Sequence, residues 1–143
     1  MGATDYYPMF EGDLGTECVI IPCIAGGAVH ANYVALYSAA AAANSLMPTV
    51  IESNAGESTA VAGIFAADAA SGAVCKVIKF GRAKVKLTMT TTCAIAVGDK
   101  LVSDDGGGAK EAISSTVGAV FAKALQASTT PGDEIVCFVN CPG

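Results

Sequence analysis

Six cysteines, one histidine and a cluster of cations are the residues of this 143-residue chain with chemistry to offer. A nucleophile–base pair would have to join His30 to one of Cys18, Cys23, Cys75, Cys93, Cys137 or Cys141. None of these cysteines has a recognisable nucleophile setting, and His30 lies in the approach to a small-residue turn. Zinc ligation needs closely paired cysteines with further ligands. The Cys18/Cys23 and Cys137/Cys141 spacings do not supply that, and a single histidine adds little. Adjacent Asp104 and Asp105 point apart on extended chain, which suits turn solvation better than acid–base work. The glycines at 106–108 do not lead into a Gly-Lys-Ser/Thr helix start, so they read as a flexible hairpin tip rather than a phosphate cradle. The expectation is therefore no enzyme, no metal and no cofactor.

The cations are more informative. Residues 1–75 hold seven acids and no Lys or Arg, and all eight basic residues fall between Lys76 and Lys123. On a strand Arg82, Lys84 and Lys86 share one face, because side chains alternate with period two. Two readings stay open: the solvated side of a half-buried strand with Val85 and Leu87 inward, or a complement to an acidic surface on a neighbouring subunit. Nucleic acid is not an expected partner, because the chain is acidic (net charge -5, pI ≈ 4.6) and the ladder lacks interleaved aromatics.

Residues 1–16 form an arm without strand or helix period, broken by Pro8, Gly12 and Gly15. Yet the arm carries Tyr6, Tyr7, Met9 and Phe10, side chains that interfaces favour. It either packs back on its own domain or docks on another chain, and these four residues join Arg82, Lys84 and Lys86 as candidate partner contacts.

The elements that must position these groups are strands. Gly98-Asp99 and Gly132-Asp133 each lead straight into an alternating apolar run, and Asn32 ahead of residues 33–37 is a looser echo with Asn in the place of Asp. Strand-like runs cover 17–21, 33–37, 49–52, 60–65, 74–80, 84–89, 100–102, 117–124 and 134–139, with a turn at Gly81 and a short helical turn or compact connection at 39–43. The fold class expected is all-β: a small sandwich or barrel-like domain over 17–143 with an irregular N-terminal arm over 1–16. Its Ala-rich strands predict a thin core. The longest apolar run is far short of a membrane span, and the N-terminus shows no export signal. Synthesis in the cytoplasm, free thiols and no membrane partner are the matching expectations.

The succession 26–36, 61–72, 94–102, 117–122 and 131–139, with its recurring Gly-Asp-apolar phrases, resembles the capsid cement (head decoration) proteins of tailed bacteriophages. The resemblance implies a virion structural protein on the outer surface of the expanded head. Its implied partners are itself, as a homotrimer, and the major capsid protein. A phage tail or baseplate β-subunit and a small-molecule or carbohydrate-binding β-module are the alternatives.

Overall fold

Four tight turns set the architecture. The computed structural model describes residues 18–38, 46–88, 94–112 and 119–141. Within them, residues 30–33, 70–73, 96–99 and 130–133 each close with the fourth N–H donating to the first carbonyl, at 3.0–3.3 Å. The third residue of each has positive φ: Asn32 71°, Gly72 83°, Gly98 95° and Gly132 79°. This is the type II pattern, which calls for Gly or Asn at that position. Asn32 thus occupies the glycine position, one residue earlier than the sequence echo suggests. The turn at 70–73 is a fourth copy that lacks the Asp altogether.

Each turn delivers a strand. The described residues form nine: β1 (Val19–Ala25), β2 (Val34–Tyr37), β3 (Thr49–Glu52), β4 (Val61–Phe65), β5 (Val74–Lys86), β6 (Lys100–Ser103), β7 (Ala109–Glu111), β8 (Ala122–Ala124) and β9 (Glu134–Asn140). The protein is all-β, as the alternation predicts. Several details differ. β7 has no apolar run to announce it, β1 continues through Pro22, Gly81 lies inside β5 rather than in a turn, and the described part of the 117–124 run is strand only over Ala122–Ala124. Pro22 is tolerated because alternate N–H groups of β1 point away from β5: that of Ile24 donates to Pro48, and Pro22 shares its direction. Residues 39–43 lie outside the described residues.

Strand order is β1-β3-β2-β4-β5-β9-β8-β6-β7, with β1 also paired to β5. That pairing closes β1, β3, β2, β4 and the first half of β5 into a five-stranded barrel. A parallel bridge between Leu87 and Ala109 likewise joins the end of β5 to β7, closing a second ring with β6, β8 and β9. The second ring repeats the first strand for strand. The pairings Cys23↔Cys75 and Ala35↔Gly63 recur as Val85↔Ile135 and Leu101↔Ala122. The hydrogen bonds Asn32 N–H to Phe65 and Phe65 N–H to Tyr33 recur as Gly98 N–H to Ala124 and Ala124 N–H to Asp99. The fold is a structural duplication, one ring repeating the other, and β5 serves both copies.

The two interiors correspond as well. Cys23, Ala25, Val29, Ala35, Val50, Ala62, Phe65, Cys75 and Val77 fill the first barrel. At matching positions the second holds Val85, Leu87, Ile95, Leu101, Ala109, Phe121, Ala124, Ile135 and Cys137. The first core is the Ala-rich, thin one that composition foretold. One phenyl ring occupies each barrel, at the Phe65 position in the first and at the Ala62 counterpart, Phe121, in the second.

The barrels meet where the outer side of β2 and β4 is covered by the second barrel. Val34, Leu36, Val61 and Ile64 join its core there, and all five residues of β4 are buried. Backbone hydrogen bonds fasten the seam: Val34 N–H donates to Gly107 (2.8 Å) and Lys86 N–H to Asn32 (2.9 Å). Gly107 lies so close to Tyr33 that a Cβ would sit 2.4 Å from the ring. The glycines at 106–108 therefore do not make a free hairpin tip: Gly107 and Gly108 are buried packing surface. In the first barrel the counterpart of Lys86 is Ile24, whose N–H is taken by Pro48 of the same barrel.

Gly63 marks the tightest strand approach. Its φ is +149°, and an added Cβ would lie 2.1 Å from the Ile78 carbonyl oxygen. Gly63→Ala is expected to cost at least ~3 kcal/mol, whereas Gly72→Ala, with open space around it, should cost only about 1–2 kcal/mol of backbone strain. Urea melts of the two variants check the ranking; equal midpoints would refute it.

The five described cysteines are free thiols, and all but Cys18 are buried. Burial raises the Cys23 thiol to about 11 and Cys137 and Cys141 to about 12. Because the unfolded chain ionises first, near 9, these thiols favour the fold fully below that pH and progressively less from 9 toward 12. Thermal melts should therefore fall over that window, less steeply for Cys137→Val. At pH 8 in the native state, Cys18 should be alkylated well before the four buried cysteines, as read by peptide mass mapping.

Candidate functional site

The side chains weighed as catalytic candidates are engaged in hydrogen bonds within the fold. His30 is bound through both its ring Nδ1 and its backbone N–H to Glu52 Oε2, each at 2.7 Å, and its ring lies 5.1 Å from that of Tyr33. Asp99 Oδ2 accepts from Ala96 N–H across its own turn, and Asp133 Oδ2 accepts from the Ser128 hydroxyl. Asp104 accepts from Thr88 Oγ1 and from Asp105 N–H, which ties the 104–108 hairpin to the end of β5. Burial, followed by the charge and hydrogen bond of Asp99, raises the Glu111 carboxyl above its ordinary range. No group of three or more His, Cys, Asp or Glu side chains among the described residues is placed to hold a metal.

Of the sequence candidates, Tyr6, Tyr7, Met9 and Phe10 lie outside the described residues. Arg82, Lys84 and Lys86 do share the outer side of β5, with Arg82 and Lys84 exposed. Lys86 is engaged within the molecule: its Nζ lies 5.1 Å from the Tyr33 ring centroid, and its cross-strand neighbour is Glu134. Glu134 in turn accepts from the Asn32 side chain across the seam (3.0 Å). Lys86 is thus part of the joint between barrels, while Arg82 and Lys84 face solvent.

Those two cations belong to a wider face that the sequence reading missed. Arg82 stands opposite Phe138, Phe138 opposite Lys123, and Lys123 opposite Lys100. Cross-strand neighbours lie on one face, so three cations and one phenyl ring form a row across β5, β9, β8 and β6. Phe138 packs edge-on against Phe80 (centroids 5.1 Å apart), and both rings remain 37% exposed. Beside them Lys100, Val120, Lys123, Leu125, Phe138 and Asn140 line a groove of about 450 Å³. Among the described residues none of Arg82, Lys84, Lys100 and Lys123 makes an ion pair. Such a face is complementary in charge and polarity to groups that are apolar and anionic together. A usable signal was present: the Gly-Asp turns set the phase of β6 and β9, placing Lys100 and Phe138 outward.

The same positions in the first barrel have another use. Val34 and Ile64, the counterparts of Lys100 and Lys123, are the apolar residues buried under the second barrel. Corresponding positions of the two barrels thus make one internal seat and one exposed, charged face.

No family model and no curated protein matches the chain. Among solved structures it is similar to the N base of head fiber gp8.5 of bacteriophage phi29, at 19% identity and a TM-score of 0.58. The match covers 86% of this chain and 94% of that one, and at this identity the likeness is one of fold.

Proposed function

We propose that this chain is a structural protein of a phage head, which binds the outer surface of the expanded shell as a homotrimer and reinforces contacts between major capsid subunits. The observation that carries the reading is the shared fold, which spans nearly the whole of both this chain and a phage head fiber base. The cement-like order of turn and strand phrases in the sequence points the same way. In this reading the chain performs no reaction. The arm residues Tyr6, Tyr7, Met9 and Phe10, with Arg82 and Lys84, supply contacts; Lys86 contributes by holding the barrels together. A ligand that binds only the expanded lattice stabilises it by mass action, and a trimer gains further from effective concentration.

The test compares stripped heads with heads re-decorated to full occupancy under heating or osmotic shock. Re-decorated heads should rupture at a higher temperature or stronger shock; equal thresholds would sink the reading. Removing residues 1–16 should leave a folded double barrel whose affinity for heads falls at least about tenfold, or ~1.4 kcal/mol per trimer bound. Undiminished decoration by the truncated chain would assign the arm no role on the head.

A further inference from the structure

We propose that Cys23 and Cys75 are an oxidative modification site: in a thiol-oxidising environment they join as a disulfide that locks the first barrel shut. This goes beyond the head-binding reading and does not depend on it. Three observations converge. The first is placement. Cys23 of β1 and Cys75 of β5 are direct cross-strand partners in the pairing that closes the first barrel, and both lie in its core. Ala25 N–H donates to the Ala73 carbonyl at 2.9 Å. Hydrogen-bonded and non-hydrogen-bonded pairs alternate along an antiparallel ladder, so Cys23 and Cys75 are again a hydrogen-bonded pair, with Cα atoms about 5.5 Å apart. Disulfides span Cα separations of roughly 4.4–6.8 Å.

The second is exclusion. Cys137 and Cys141 are four residues apart along and just past β9, roughly 13 Å in extended chain and too far to bridge. Cys18 is exposed ahead of β1. The third is the contrast between barrels. At the same place in the second barrel stand Val85 and Ile135, two branched side chains; the first barrel, with Ala25, Ala35 and Ala62 in its core, has two thiols there. Their link encloses residues 24–74, which carry β2, β3 and β4, and ties the thinner core at the seam where its sheet curls back on itself.

The chemistry is thiol–disulfide exchange with glutathione disulfide. The thiolate of one cysteine attacks a glutathione sulfur and expels one glutathione thiolate; the second cysteine attacks the protein sulfur of the mixed disulfide and expels the other. The two cysteines lose two electrons and two protons, and the glutathione disulfide takes up both to become two thiols. Burial keeps Cys23 and Cys75 protonated, so exchange waits for the β1–β5 seam to part and the link forms slowly.

The experiment uses the full chain carrying Cys18→Ser in mixed reduced and oxidised glutathione, held until the product no longer changes. It starts once from the reduced folded chain and once from chain refolded in the same buffer. After free thiols are blocked, chymotryptic mapping without reduction should join the fragment ending at Tyr33 to the one ending at Phe80. The linked chain should melt roughly 5–15 °C above the reduced one, and a reductant should reverse the gain. Cys23→Val, which installs the side chain found at the matching place in the second barrel, should show neither link nor gain. Free Cys23 and Cys75 from both starting points would overturn the proposal. So would links of these cysteines to other cysteines or other chains instead, or a Cys23–Cys75 link that leaves the melting temperature unchanged.

Discussion

Everything in this molecule depends on one strand keeping its phase through two barrels. β5 places Cys75 and Val77 in the first core and Val85 in the second while its even-numbered residues stay outside. Its neighbours change at Phe80, which pairs with the first residue of β1 and the last of β9. Gly81 follows at once, with φ of +117° and buried. A side chain would disfavour that backbone angle, so glycine permits the transfer from one ring to the next without a break in the ladder.

The duplication is faithful in backbone and unequal in surface. The outer side of β2 and β4 is apolar because it is an internal joint, and its copy on β6 and β8 carries lysine because it is not. The other end of the array is closed differently. Pro48 occupies the N–H of Ile24 that, by analogy with Lys86, would have received a further unit. The corresponding face at the other end is exposed and carries Lys100 and Lys123 instead.

Much of this was legible in sequence. The Gly-Asp turns, the period-two runs of β2 and β9 and the common face of Arg82, Lys84 and Lys86 all followed from side-chain alternation and turn chemistry. The duplication did not, because its marker is a backbone angle rather than a residue: Asn32, Gly72, Gly98 and Gly132 are equivalent, but their neighbours differ. β7 escaped notice because Ala-Lys-Glu is held by its partners rather than by apolar burial of its own. The candidate face was half visible. Arg82 and Lys84 could be grouped by spacing, but Lys100 and Lys123 reach them only through long-range pairing, and Lys86 leaves the set because it lies over the Tyr33 ring at the seam.

Two like-wired units in one chain create a hazard that the cores themselves address. During folding, β4 and β8 or β1 and the end of β5 present the same hydrogen-bonding pattern, so exchanged pairings and strand swaps between molecules compete with the native ones. The interiors break that degeneracy. A segment carrying Phe121 and Ala124 in place of Ala62 and Phe65 would press a ring where the first barrel has a methyl and leave a hole where it has a ring. Leu87 in the place of Ala25 would crowd the same core. Overpacking and cavities each cost on the order of 1–5 kcal/mol, enough to reject the mispaired state, so the unlike filling of two alike frames is what keeps each strand in its own barrel.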